Sequence, residues 1–160
     1  MKKQPPRLSV FAAGVLFTLL LSACAGSPPA KTPPADEIAQ QIIKTGEFDE
    51  LIKLEGERLY LQYDRLDRDL VADAAVYVCS SGAFVDEVCV IRAKSPDDVE
   101  AVKEAIDSRL TDLHAKFVDY VPGEIPKLDA AVVETNGDYV MMTTSVGGAK
   151  AAAEFKKMFQ

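Results

Sequence analysis

The chain is poor in the side chains that most often carry chemistry. It has one histidine and three cysteines among 160 residues. Structural and catalytic zinc sites draw on clusters of those two residue types, so the supply argues against one. His114 borders the apolar stripe of a long helix, a place for packing or solvation rather than general-base work. Ser80 and Ser81 lack the glycine-flanked elbow that exposes a serine nucleophile. No glycine-rich phosphate loop occurs, and Gly147-Gly148 ahead of a helix is a weak hint of anion binding only. The segment Asp64-Arg65-Leu66-Asp67-Arg68-Asp69 mixes charge signs. It lacks the alternating carboxylates, central glycine and closing glutamate of a calcium loop. No cofactor and no metal are expected.

Basic residues are also in short supply. Lys and Arg number 18 against 25 Asp and Glu, a formal charge of −7. Phosphate backbones require positive side chains, so nucleic acid is excluded as a partner. Internal repeats and long low-complexity tracts are missing too. Long hydrophobic runs number one, Leu8 to Leu21, an apolar core of 14 residues behind Lys2, Lys3 and Arg7. A membrane-spanning helix needs about 20 apolar residues, so this run fits a secretory signal instead.

At its foot stands Leu21-Ser22-Ala23-Cys24, which reads as a lipobox. Leu21 suits the apolar subsite of a processing peptidase, and Ser22 and Ala23 let the chain lie extended. Cys24 carries the thiol that becomes a thioether to diacylglycerol. The competing reading is an ordinary secretory peptide cut near Ala23 or Ala25. Residues 1–23 are thus expected to be a lipoprotein signal peptide, and their loss removes three positive charges and takes the formal charge to −10. Two or more acyl chains, at about 0.8 kcal/mol per buried CH₂, anchor far more firmly than one. The expected location is the extracytoplasmic face of the membrane. Residues 24–36 form a tether with four prolines, reaching up to roughly 35 Å in polyproline geometry. Residues 37–160 then make one globular domain.

Within that domain a first helix is expected over Pro34–Lys44, and Phe48, Leu51 and Leu54 continue at helical spacing. Another helical turn covers Arg58–Tyr63. Ala75–Cys79 and Phe84–Ile91, about a turn at Ser80-Ser81-Gly82, predict a hairpin. Ser95-Pro96-Asp97-Asp98 opens a long helix whose Val99, Val102, Ile106, Leu110, Leu113, Phe117 and Tyr120 form one stripe. Tyr120 to Lys127 is a connection. A second hairpin over Ala130–Thr144 turns at Asn136-Gly137, placing Val133 opposite Val140. One face carries Ala131, Val133, Val140 and Met142, the other Val132, Tyr139 and Met141, so both are covered at least in part. A last helix packs through Ala151, Phe155, Met158 and Phe159. The order helix-ββ-helix-ββ-helix predicts an α+β fold: a four-stranded antiparallel sheet with the later two helices on one face.

Outside Cys24, only Cys79 and Cys89 remain. With a tight turn at Ser81-Gly82, residue 79 faces 84 and Cys89 lies about 17 Å further along at ~3.4 Å per residue. That geometry favours two buried thiols over a Cys79–Cys89 disulfide.

The run Asp86-Glu87-Val88-Cys89-Val90-Ile91, the capped helix containing Arg109, Tyr120-Val121-Pro122-Gly123-Glu124 and Asn136-Gly137-Asp138-Tyr139-Val140 together resemble an uncharacterised family. Its members are small lipoproteins, mainly of Gram-positive, clostridia-like bacteria, catalogued as a domain of unknown function. The similarity spans roughly residues 37–160 and implies a lipid-anchored extracytoplasmic domain without an assigned activity. From the residues themselves, Arg109, Tyr120, Glu124 and Tyr139 are the candidate polar cluster, either a small pocket or a set of structural anchors. The leading expectation is a non-catalytic binding or accessory domain, held to the membrane by its lipid and contacting an envelope protein or small ligand. The alternative is an envelope hydrolase using a carboxylate pair.

Overall fold

The structure is a computed structural model that describes residues 32–160 and Met1. The expected signal peptide, Cys24 and most of the expected tether lie outside the described residues. Helix α1 spans Ala35–Thr45 and is followed by strand β1, Leu51–Lys53. Helix α2, Glu57–Gln62, leads through a 3₁₀ turn at Arg68–Leu70 into β2, Val71–Cys79, and then β3, Glu87–Ala93. A 3₁₀ turn at Pro96–Asp98 opens α3, Val99–Tyr120. A further 3₁₀ turn, Pro122–Glu124, and α4, Ile125–Asp129, precede β4, Val132–Asn136, and β5, Tyr139–Thr143. Helix α5, Gly148–Lys157, closes the fold.

The architecture is α+β with an antiparallel sheet, but the sheet has five strands in the order β1-β2-β3-β5-β4, not four. The added strand is β1. Its residues fall where the spacing of Phe48, Leu51 and Leu54 predicts helix. Three residues are too few for periodicity to choose between helix and strand, and pairing decides. Glu50 O accepts from Ser80 N at 2.9 Å and Leu54 N donates to Val76 O at 2.8 Å, zipping the segment onto β2.

The helices divide between the two faces, which corrects the expected placement of the later pair. Leu59 of α2 and Val102, Ala105 and Ile106 of α3 pack on Val76, Cys89, Ile91, Val140 and Met142. Ile38, Ala39 and Ile42 of α1 and Ala151, Ala152 and Phe155 of α5 pack on Ala75, Val88, Val90, Tyr139 and Met141. The central strands alternate between two apolar layers, so each face needs its own cover. Helix α5 thus joins α1 rather than α3.

The β4–β5 register pairs Val133 with Met142 and Asn136 with Tyr139, two residues away from the expected pairing. Gly137, at φ 58°, is the first central residue of the turn, and Asp138 needs no positive φ, as in a type II′ hairpin. A shift of two preserves parity, so every side chain keeps its expected face. The β2–β3 connection is wider than expected. Val78 pairs with Glu87, Cys79 N donates to Asp86 O at 2.9 Å, and Phe84 lies in the connection rather than in β3. Cys89 sits opposite Val76, three residues from Cys79 along β2, or about 10 Å at ~3.4 Å per residue. Both thiols are free and buried.

Candidate functional site

The start of β3 and the two residues before it bring together the most heavily buried charges in the described part of the molecule. Alternation along Val85-Asp86-Glu87 sends neighbouring carboxylates to different partners. Glu87 has a side chain 2% exposed. Tyr63, just past α2, donates its hydroxyl to Glu87 Oε1 at 2.5 Å. From α3, Arg109 donates through Nη2 to Oε2 at 2.8 Å and through Nε to Oε1 at 3.4 Å. Burial works against the Arg109 charge, yet the facing Glu87 carboxylate raises its pKa above the ordinary value. Burial also pushes the Tyr63 hydroxyl well above the usual phenol range, with Cys89 and Glu87 adding to it. The Cys89 thiol is likewise pushed far up by burial, which keeps it protonated and unreactive.

Asp86, also 2% exposed, accepts from Lys127 Nζ at 2.8 Å. The same ammonium lies 3.0 Å from Glu124 Oε2. That oxygen also accepts from Val85 N at 3.0 Å, while Thr144 donates its hydroxyl to Val85 O. Burial raises the Asp86 carboxyl pKa, against the pull of Lys127. Glu124 and Lys127 reach the strand because Pro122 and Pro126 fold the segment after α3 into two short helical turns. Leu113, Phe117 and Leu128 pack with Val85 beneath them.

Of the four residues singled out by sequence, the structure brings Arg109 and Glu124 to adjacent stations on this segment. Tyr120 is 64% exposed and meets Phe117 edge-on, with ring centroids 6.2 Å apart. Tyr139 lies at the far end of the sheet, on the α1–α5 face. Its hydroxyl donates to Pro33 O at 2.8 Å and its ring packs 5.0 Å from Phe159. Tyr63, Asp86, Glu87 and Lys127 complete the site and were not singled out. Their signal was two adjacent acids abutting a strongly apolar strand, a place where acids are seldom left buried without partners. His114 pairs with Asp129 at 2.9 Å on the surface. Among the described residues no group of three His, Cys, Asp or Glu side chains is placed to hold a metal ion.

Two open spaces flank these charges. One, of about 100 Å³, is bounded by the Gly82–Glu87 stretch and by Arg109, Leu113, Lys116 and Phe117 of α3. The other, of about 460 Å³, runs along Gly46–Asp49 to Asp86, Lys127 and Val146. What the arrangement offers chemically is a rigid set of oriented donors beside small cavities. No curated protein sequence and no solved structure matches the chain. Residues 44–145, which hold the five strands, α2, α3, α4 and every charged residue of the site, match the family model described as a domain of unknown function (DUF4358), and the chain belongs to that family.

Proposed function

We propose that the protein is a lipid-anchored extracytoplasmic domain that serves the cell envelope as a non-catalytic binding or accessory module. The observation that carries this reading is Leu21-Ser22-Ala23-Cys24 at the foot of an apolar run behind Lys2, Lys3 and Arg7. The way the chain joins the domain supports it. Pro33 O accepts from Tyr139, and Ala35 N donates to Asp73 Oδ2 at 2.8 Å, so the tether leads into one end of the sheet. Helix α1 then runs toward the opposite end, where the 46–50, 80–86 and 144–147 connections meet. The cavities beside Arg109 and Lys127 open at that far end, opposite the end where Pro33 meets the sheet.

Replacement of Cys24 by Ser, with radioactive palmitate labelling and membrane fractionation, tests the reading. Label and membrane association are expected in the parent chain and absent from Cys24→Ser. Continued labelling of the variant, or a parent chain found wholly in the soluble fraction, ends the proposal.

The hydrolase alternative has one observation in its favour. Asp86 is a carboxyl group whose pKa burial holds above its ordinary value, and it shares the Lys127 ammonium with Glu124. Neighbouring carboxyls in unequal surroundings are what acid–base hydrolysis employs. Release of soluble wall fragments by the purified chain, lost in Asp86→Asn with folding intact, would put catalysis in place of binding.

A further inference from the structure

We propose that the cavity beneath the β2–β3 connection binds a small carboxylate with a short apolar body, received by Arg109 and Lys116. This rests on the reading of the domain as a binding module and does not depend on the lipid. The cavity, about 100 Å³, is lined by the polar side chains of Gln62, Arg109 and Lys116 and by the apolar ones of Phe84, Leu113 and Phe117, among others. Asp86 and Glu87 also line it, each already paired: Asp86 with Lys127, which Glu124 shares, and Glu87 with Arg109. Lys116 has no carboxylate partner among the described residues; its ammonium lies 5.3 Å from the Phe117 ring. The four lining charges sum to zero, and Lys116 is the one among them with no opposite charge in contact among the described residues.

Arg109 is the fixed point of the site. Its side chain is 13% exposed, and Glu87 holds the guanidinium through Nε and Nη2. Nη1 has no hydrogen-bond partner among the described residues, on a side chain that lines the cavity. A guanidinium held this way donates without first losing side-chain freedom, and a carboxylate complements its planar array of N–H groups. One carboxylate oxygen on Arg109 and the other on Lys116 satisfies both cations. The ligand's hydrocarbon then rests on Phe84, Leu113 and Phe117. Inorganic phosphate would bring the charge without the apolar body and would leave that wall uncovered. The small volume restricts the apolar part to a few carbons, and Gly82 at φ 63° gives the roof a turn that other residues rarely adopt. Such a carboxylate comes either as a free short-chain acid or as the C-terminus of a peptide.

The test is NMR on the full chain in detergent micelles, with arginine side chains isotopically labelled and the Arg109 Nε–Hε signal assigned through its contact with the Tyr63 ring. Sodium butyrate and acetyl-dialanine are titrated at fixed ionic strength, beside acetyl-dialanine amide and inorganic phosphate. A saturable shift of the Arg109 signal with an acid and not with the amide is expected. The better acid identifies the source. Lys116→Ala should weaken binding about two- to fivefold, as for a charge at a solvent-exposed rim. Lys116→Arg should retain it, and both variants should keep the parent's amide spectrum elsewhere. An Arg109 signal that moves with neither acid overturns the site. So does one that moves equally with amide or phosphate, or an affinity unchanged in Lys116→Ala. Failure here with Cys24 still lipidated removes the ligand site alone; butyrate binding by a chain that takes no lipid removes the anchor alone.

Discussion

Glu87 has two carboxylate oxygens and spends both inside the protein, on Tyr63 and Arg109. Removing two charges from water costs several kcal/mol per ion, and their attraction offsets this only with good geometry. The pair is therefore far more costly to break than to replace. Arg109→Met strands a buried carboxylate and is expected to destabilise the domain by about 3–5 kcal/mol in urea unfolding. Glu87→Leu combined with Arg109→Met removes both charges and should recover most of that loss. Additive losses in the double variant would mean that the two side chains act separately, contrary to the geometry. Tyr63→Phe removes a hydrogen bond to a charged acceptor and should cost about 1.5–3 kcal/mol.

Helix α1 is joined to the sheet by a polar clasp as well as by apolar packing. Asp36 accepts from Tyr77 at 2.8 Å and pairs with Lys53 at 2.5 Å, so α1, β1 and β2 meet on one carboxylate. Hydrogen bonding from Lys53, with Tyr77 and Gln40 assisting, lowers the Asp36 pKa from 3.8. A carboxyl whose folded pKa is depressed contributes stability above its unfolded value and loses it as pH falls through the folded one. Asp36→Asn is thus expected to reduce stability near neutral pH and to flatten the fall below about pH 3.8. Thermal melts of both chains between neutral and strongly acid pH check this, and parallel curves would refute it. At the other side of the sheet α5 depends on a close approach. A Cβ on Gly148 would stand 2.5 Å from Val132 Cγ2 and 3.5 Å from Ala130 O. Gly148→Ala should push α5 away from β4 at about 1–3 kcal/mol. Gly123→Ala meets nothing within 4 Å and serves as the control in the same melts. Elements with a long pattern were legible in the sequence. The Ser95 cap, with Asp98 accepting from Ser95 N and Oγ, starts a helix that its apolar stripe carries on to Tyr120. Elements decided by distant partners were not. β1 exists because β2 offers it a free edge, and Lys127 joins the site only because Pro126 turns α4 back over β3. Tyr139 was placed in the cluster by its polarity, whereas strand parity commits it to the opposite layer.

At the scale of the molecule, one sheet separates two apolar layers that share no side chains. The α2–α3 layer is built on Cys89, Ile91 and Val140, and the α1–α5 layer on Val88, Val90 and Met141, from the same strands. Each strand residue belongs to one layer, but each strand's backbone belongs to both. Loss of β3 or β5 from the sheet would therefore empty both layers together, so unfolding should be a single transition. Ile106 and Ile38 are fully buried, one in each layer. Ile106→Val and Ile38→Val should each cost about 0.5–1.5 kcal/mol, the loss of one buried methylene. Because the two sites have no partners in common, the double variant should equal their sum to within about 0.5 kcal/mol. The denaturant slope should stay that of the parent, since the surface exposed on unfolding is nearly the same. A second transition in either single variant would show the layers to be separable. In that case the Glu87–Arg109 pair, which lies on the α3 side, could lose its helix while the α1–α5 side stayed folded. A single transition with additive losses instead ties the cavity beside Arg109 to the same cooperative unit that holds Pro33. The end of the domain where the chain enters and the end that carries the open cavities then form and fail together.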